Sequence, residues 1–103
     1  MNQVLIRIKR AILAGNYEFS EKARLEMEAD SLVESDVVES IVDAGSIYKT
    51  IRSTSPRRGH PREYLHIIQS TNLDGLPIYT KGKLVSEAGI EVYYFLVSAK
   101  RAE

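Results

Sequence analysis

Apolar positions recur along this chain with two periods, about 3.6 residues in the first half and about 2 in the second. In "NQVLIRIKRAILAG", Val4, Leu5, Ile8, Ile12 and Leu13 fall near one face at helical spacing, with Arg7 and Arg10 opposite. Gly15 follows where a left-handed C-cap belongs, a backbone shape that glycine adopts without a Cβ clash. "YEFSEKARLEMEAD" predicts a second helix, with Ser20 as N-cap, Glu21 at the positive end of the helix dipole, and Ala23 and Met27 on one face. Tyr17 and Phe19, just before that cap, are expected to pack on the core. "VESDVVESIVDAG" predicts a short third helix, capped by Ser35 or Asp36, striped by Val37, Val38, Ile41 and Val42, and ended by Gly45.

From residue 46 the pattern alternates. "SIYKTIR", "REYLHIIQS", "LPIYTKGKLVS" and "IEVYYFLVSAK" are rich in β-branched and aromatic residues and read as four strands. "NLDG" and "SEAG" carry turn chemistry suited to tight antiparallel connections, and only the break at "STSPRRGHP" is long. Helices followed by strands predict an α+β fold, with the N-terminal helices packed on one face of a four-stranded antiparallel sheet. The 103 residues, without repeat or linker, are expected to form a single domain over 1–103.

Composition narrows the function classes. With no cysteine, disulfides and thiolate metal sites are excluded, and two histidines far apart in sequence argue against a structural zinc site. No metal and no cofactor is expected. Arg7, Lys9 and Arg10 interrupt the first apolar stretch, so it does not read as a secretory signal. "VYYFLV" is far too short to span a bilayer, so the expectation is a cytoplasmic protein without a membrane partner.

The net charge of zero conceals a division. Residues 18–43 are acidic, with Lys22 and Arg24 as their cations, whereas the strand half carries Lys49, Arg52, Arg57, Arg58, Arg62, Lys81, Lys83, Lys100 and Arg101. Such asymmetry points to a polyanionic or oppositely charged partner for the basic half, or to ordinary solvated faces. In "SPRRGHPRE" two prolines stiffen an arginine-rich connector, and arginine's planar fork suits phosphate oxygens. A solvated hairpin loop is the plainer alternative. His66, beside Tyr64 and one strand from Lys49, could exchange protons near neutral pH, or be a half-buried histidine satisfied by a neighbour. Exposed strand tyrosines can stack on RNA bases or simply pack. No P-loop, dinucleotide fingerprint, metalloprotease helix or nucleophile elbow is present.

"AILAGNYEFSEKARLEM" and "VESDVVESIVDAGSIYKTI", with the later "REYLHIIQSTNLDGLPIYTKGKLV…IEVYYFLVSAK", resemble a bacterial family of small domains of unknown function. Its members read F-S-x-H-A before an arginine-bearing helix. The same order resembles MqsR-type toxins, ribosome-associated mRNA interferases related in fold to RelE. The resemblance implies the toxin of a type II toxin–antitoxin system, a metal-independent endoribonuclease acting on mRNA, free or ribosome-bound, through attack by the RNA 2′-hydroxyl. A cognate antitoxin protein would be its partner. It assigns catalysis to Lys49, His66, Tyr79 and Lys100, with His66 or Tyr79 supplying the proton, and electrostatic RNA binding to Arg52, Arg57, Arg58 and Arg62. For the glutamine that toxin relatives carry on the second strand, "REYLHIIQ" offers Gln69, in a register the sequence leaves open. Lys22 in "FSEKA" replaces the family's histidine, which either moves the chemistry or changes only a packing or capping residue. That replacement motivates the alternative of a non-catalytic RNA- or protein-binding module of the same fold.

Overall fold

The first apolar stripe folds as helix α1, Gln3–Leu13, which buries Leu5, Ile8 and Ile12. Asn2 caps it by accepting the Val4 N–H at 2.7 Å. Leu13 stays outside the core, because one residue beyond Ile12 turns it about 100° off the buried stripe. Gly15 takes the left-handed conformation, φ 77°, and lets the chain double back. The computed structural model describes residues 2–52 and 63–102.

Strand β1, Tyr17–Phe19, then runs into helix α2, Glu21–Ala29. Ser20 is the cap between them: its Oγ accepts the Ala23 N–H at 3.0 Å and donates to the Val97 carbonyl at 2.9 Å. Helix α3, Glu34–Asp43, has Val33 rather than Ser35 at its N-cap position, and Asp36 caps it from inside the first turn by accepting the Val33 N–H at 2.9 Å. Four longer strands complete the fold: β2 Lys49–Arg52, β3 Tyr64–Thr71, β4 Pro77–Glu87 and β5 Ile90–Arg101.

The α+β class holds, but the sheet differs from the four-stranded antiparallel one expected. It has five strands in the order β1-β5-β4-β3-β2, and β1 lies parallel to β5. The reason is local. "YEF" is too short for alternation to mark a strand, yet pairing Tyr17 with Tyr94 and Phe19 with Leu96 buries Phe19 and packs the half-buried Tyr17 against the core on the helix side. Beyond Phe19, helix α2 takes over the edge of β5. Glu26 accepts the Ala99 N–H at 3.3 Å and Asp30 the Arg101 N–H at 2.9 Å, so two edge donors are satisfied by carboxylates.

One core forms between the helices and one face of the sheet. Leu5, Ile8, Ala23, Met27, Val37 and Ile41 from the helices meet Ile68, Ile78, Tyr94, Leu96 and Ala99 from the strands. Complete burial of each large aliphatic side chain contributes about 1.5–3 kcal/mol. A register shift between Lys81 and Gly82 places Ser98 opposite Lys81 but Leu96 opposite Gly82, leaving Val97 as an extra residue. The bulge reverses the alternation of β5, so that Tyr94, Leu96 and Ala99 all face the helices.

Candidate functional site on the open face of the sheet

Residues directly opposite on neighbouring strands project to the same face, so the register assigns every strand side chain to the helix side or the open side. Gln69 stands opposite Tyr79, and Tyr79 opposite Lys100. These three form a row across β3, β4 and β5. Lys49 pairs with Ile67, two residues along β3 from Gln69, and therefore projects to the same face. Lys81 pairs with Ile67 from the other side and joins them. Tyr94, Leu96 and Ala99 show that the helices occupy the opposite face, so this row lies on the side they leave open.

Within the row, Lys100 Nζ lies 5.3 Å from the centre of the Tyr79 ring, a cation–π distance. The same ammonium is 3.8 Å from Glu26 Oε2, which also lies 3.8 Å from Lys22 Nζ. Glu26 is itself anchored, because its Oε1 accepts a 2.7 Å bond from Ser98 Oγ. Lys49 and Gln69 are exposed and Tyr79 is half-buried. The arrangement offers ammonium groups, an amide and a phenolic hydroxyl on one accessible surface, enough to bind a phosphodiester and to donate a proton.

Other residues expected at the site lie elsewhere. His66 pairs with Thr50 and Gly82, one residue out of phase with Lys49 and Gln69, and so projects under the helices. It is only 8% exposed, and its Nδ1 lies 3.1 Å from Thr50 Oγ1. Burial, and secondarily the Arg7 charge, lowers its pKa below the usual histidine value and favours the neutral ring. The sheet thus separates His66 from Lys49, Tyr79 and Lys100. Arg52 pairs with Tyr64 and shares the face of His66. Arg57, Arg58 and Arg62 lie outside the described residues. The chain enters β3 at Tyr64, five residues before Gln69, a distance of about 17 Å at ~3.4 Å per residue.

An open cleft of about 860 Å³ lies near His66, lined by Arg7, Thr50, Tyr64, His66, Lys83 and Glu91 among others. Arg7 is engaged there by Glu91 at 3.1 Å, and Lys83 by Glu63 at 2.7 Å. The Tyr79–Lys100 row lies outside this concavity. Among the described residues, no three histidine, aspartate or glutamate side chains converge as metal ligands, and no helix is long and apolar enough to cross a membrane.

Sequence reasoning missed Lys81, and held Gln69 only as one register among several. Alternation along "HIIQS" sets Gln69 and His66 on opposite faces, but which face meets Lys49 depends on pairing between strands. Comparison with protein-family models, with curated proteins and with solved structures returned no match.

Proposed function

We propose that the chain is a metal-independent endoribonuclease of the MqsR/RelE-like toxin type that cleaves mRNA on the open face of its sheet. The alignment of Gln69, Tyr79 and Lys100 across three adjacent strands, with Lys49 on the same face, carries this reading. In the proposed reaction the ribose 2′-hydroxyl gives its proton to solvent, which later returns one to the Tyr79 oxygen. The 2′-oxygen bonds to the adjacent phosphorus, and the bond from phosphorus to the 5′-oxygen breaks. The products are a 2′,3′-cyclic phosphate and a free 5′-hydroxyl. Lys49 and Lys100 stabilise the charge that grows on the phosphate oxygens. The Tyr79 hydroxyl protonates the departing 5′-oxygen, a part that His66 cannot take from beneath the helices. Gln69 donates its amide hydrogens to the phosphate or to the ribose. In a toxin–antitoxin pair, a cognate antitoxin protein would act by covering this face.

The test uses purified protein and an mRNA transcript with a chelator present, together with induced expression in cells. Cleavage leaving cyclic phosphate ends, growth arrest by the wild type, and loss of both in Tyr79→Phe support the proposal. If the wild type binds RNA in a salt-sensitive way without cutting it, the fold serves as a non-catalytic RNA-binding module. If it neither cuts nor binds RNA, both readings fail.

A further inference from the structure

We infer that Lys22 and Lys100, drawn together by Glu26, form a binding subsite for one RNA phosphate at the rim of the open face. The inference rests on the RNA-binding reading above and adds a residue and a device that the row of Gln69, Tyr79 and Lys100 does not contain. Both ammonium groups lie 3.8 Å from one carboxylate oxygen, so they are at most twice that distance apart. At 3.8 Å neither makes a proper hydrogen bond to Glu26, because N–H donors reach oxygen at about 2.7–3.2 Å. The carboxylate therefore gathers the two cations while leaving their donors available to different oxygens of one phosphate.

Glu26 is suited to this part because it is fixed. Its Oε1 is held by Ser98 Oγ at 2.7 Å and by the Ala99 N–H at 3.3 Å, and its side chain is 20% exposed. The lysine side chains are 60% and 47% exposed, so a polymer on the open face can reach both. Two cations and one anion leave a single net positive charge, directed at the rim of the sheet where α2 meets β5. Lys22 sits in the first turn of α2, where the helix dipole disfavours a cation, and its i,i+4 pairing with Glu26 offsets that cost.

The test measures the affinity of a short labelled single-stranded RNA against salt, in a Tyr79→Phe background that prevents cleavage. Each phosphate contact on a single strand contributes about 0.7 to the slope of log affinity against log salt. Lys22→Ala should lower that slope by about 0.7, Lys22→Arg should restore it, and the melting temperature should not change. Glu26→Gln, which keeps the acceptor for Ser98 and Ala99 but loses the charge that draws the two lysines together, should weaken binding and remove the Lys22 contribution to the slope. If Lys22→Ala leaves the slope unchanged while Lys100→Ala lowers it, the subsite is overturned and the proposed function stands. Glu26→Gln that tightens binding or leaves it unchanged overturns the gathering role. If neither Lys49→Ala nor Lys100→Ala alters binding, the RNA reading itself is lost, and the subsite with it.

Discussion

Tyr79 and Lys100 stand directly opposite one another on β4 and β5, with the ammonium 5.3 Å from the ring centre. The contact restrains the lysine without consuming its N–H donors, and it leaves the phenolic hydroxyl at the far end of the ring. A phenolic hydroxyl and an ammonium group are thereby held side by side on one accessible face.

Removing only the proton donor separates these two parts. Tyr79→Phe is expected to slow RNA cleavage by about 10²–10⁴-fold, the usual contribution of general acid–base catalysis. Affinity for RNA should change little, because the ring and its contact with Lys100 remain. Single-turnover cleavage and equilibrium binding, measured on the same transcript, check the separation.

Lys49 is exposed on the edge strand β2 and projects to the open face. Lys49→Ala should lower the salt slope of RNA binding by about 0.7 and reduce cleavage more than binding. Arg52→Ala, which changes a side chain on the other face, should leave the cleavage rate near that of the wild type. Equal losses in the two variants would contradict the assignment of faces.

His66→Gln should keep cleavage activity, because the sheet lies between residue 66 and the Tyr79 row. Its effect belongs to stability. Burial lowers the folded-state pKa of His66 below the unfolded value of about 6.5, so the unfolded chain binds more protons between the two values. The resulting stability is complete above pH ~6.5 and is lost as pH falls towards the folded pKa. Denaturant midpoints between pH 7.5 and 5 should drop in the wild type and drop less in His66→Gln.

Gly82 lies against the ring of Tyr94: a Cβ there would stand 2.6 Å from Tyr94 Cζ and 2.7 Å from its hydroxyl. Gly82→Ala should destabilise by about 1–3 kcal/mol through overpacking, and by less when combined with Tyr94→Leu. The Tyr94 hydroxyl is buried without a hydrogen-bond partner among the described residues, and burial raises its pKa. Tyr94→Phe should therefore raise stability, by up to about 1–3 kcal/mol. Thermal or denaturant unfolding of the three variants checks both statements.

Ser20 ties the start of α2 to β5 through two bonds from one hydroxyl. Ser20→Ala should cost about 0.5–2 kcal/mol, and Ser20→Thr, which keeps the hydroxyl, should recover most of it. Denaturant midpoints report the difference.

Much of the fold was legible because it is local. The 3.6-residue stripe of Leu5, Ile8 and Ile12, the cap at Ser20 and the glycine at position 15 depend on neighbours within one or two turns, and each is where the sequence places it. Strand β1 was not legible, since three residues carry no period and its partner β5 lies more than 70 positions away.

The candidate site shows the same division more sharply. Sequence alone determined the inventory: a lysine after an aromatic in "IYKTI", a glutamine in "HIIQS", a tyrosine in "LPIYT", a lysine in "SAK", and a basic strand half beside acidic helices. Only tertiary structure decided which of these face one another. Strict alternation along β5 would set Lys100 on the side of Tyr94 and Leu96, beneath the helices. The extra residue at Val97 reverses that phase and turns Lys100 to the open face beside Tyr79. Strand pairing likewise sends His66 the other way, opposite Gly82. Side-chain direction in a strand has a period of two, so a shift of one residue inverts it, and that shift is set by contacts between strands distant in sequence.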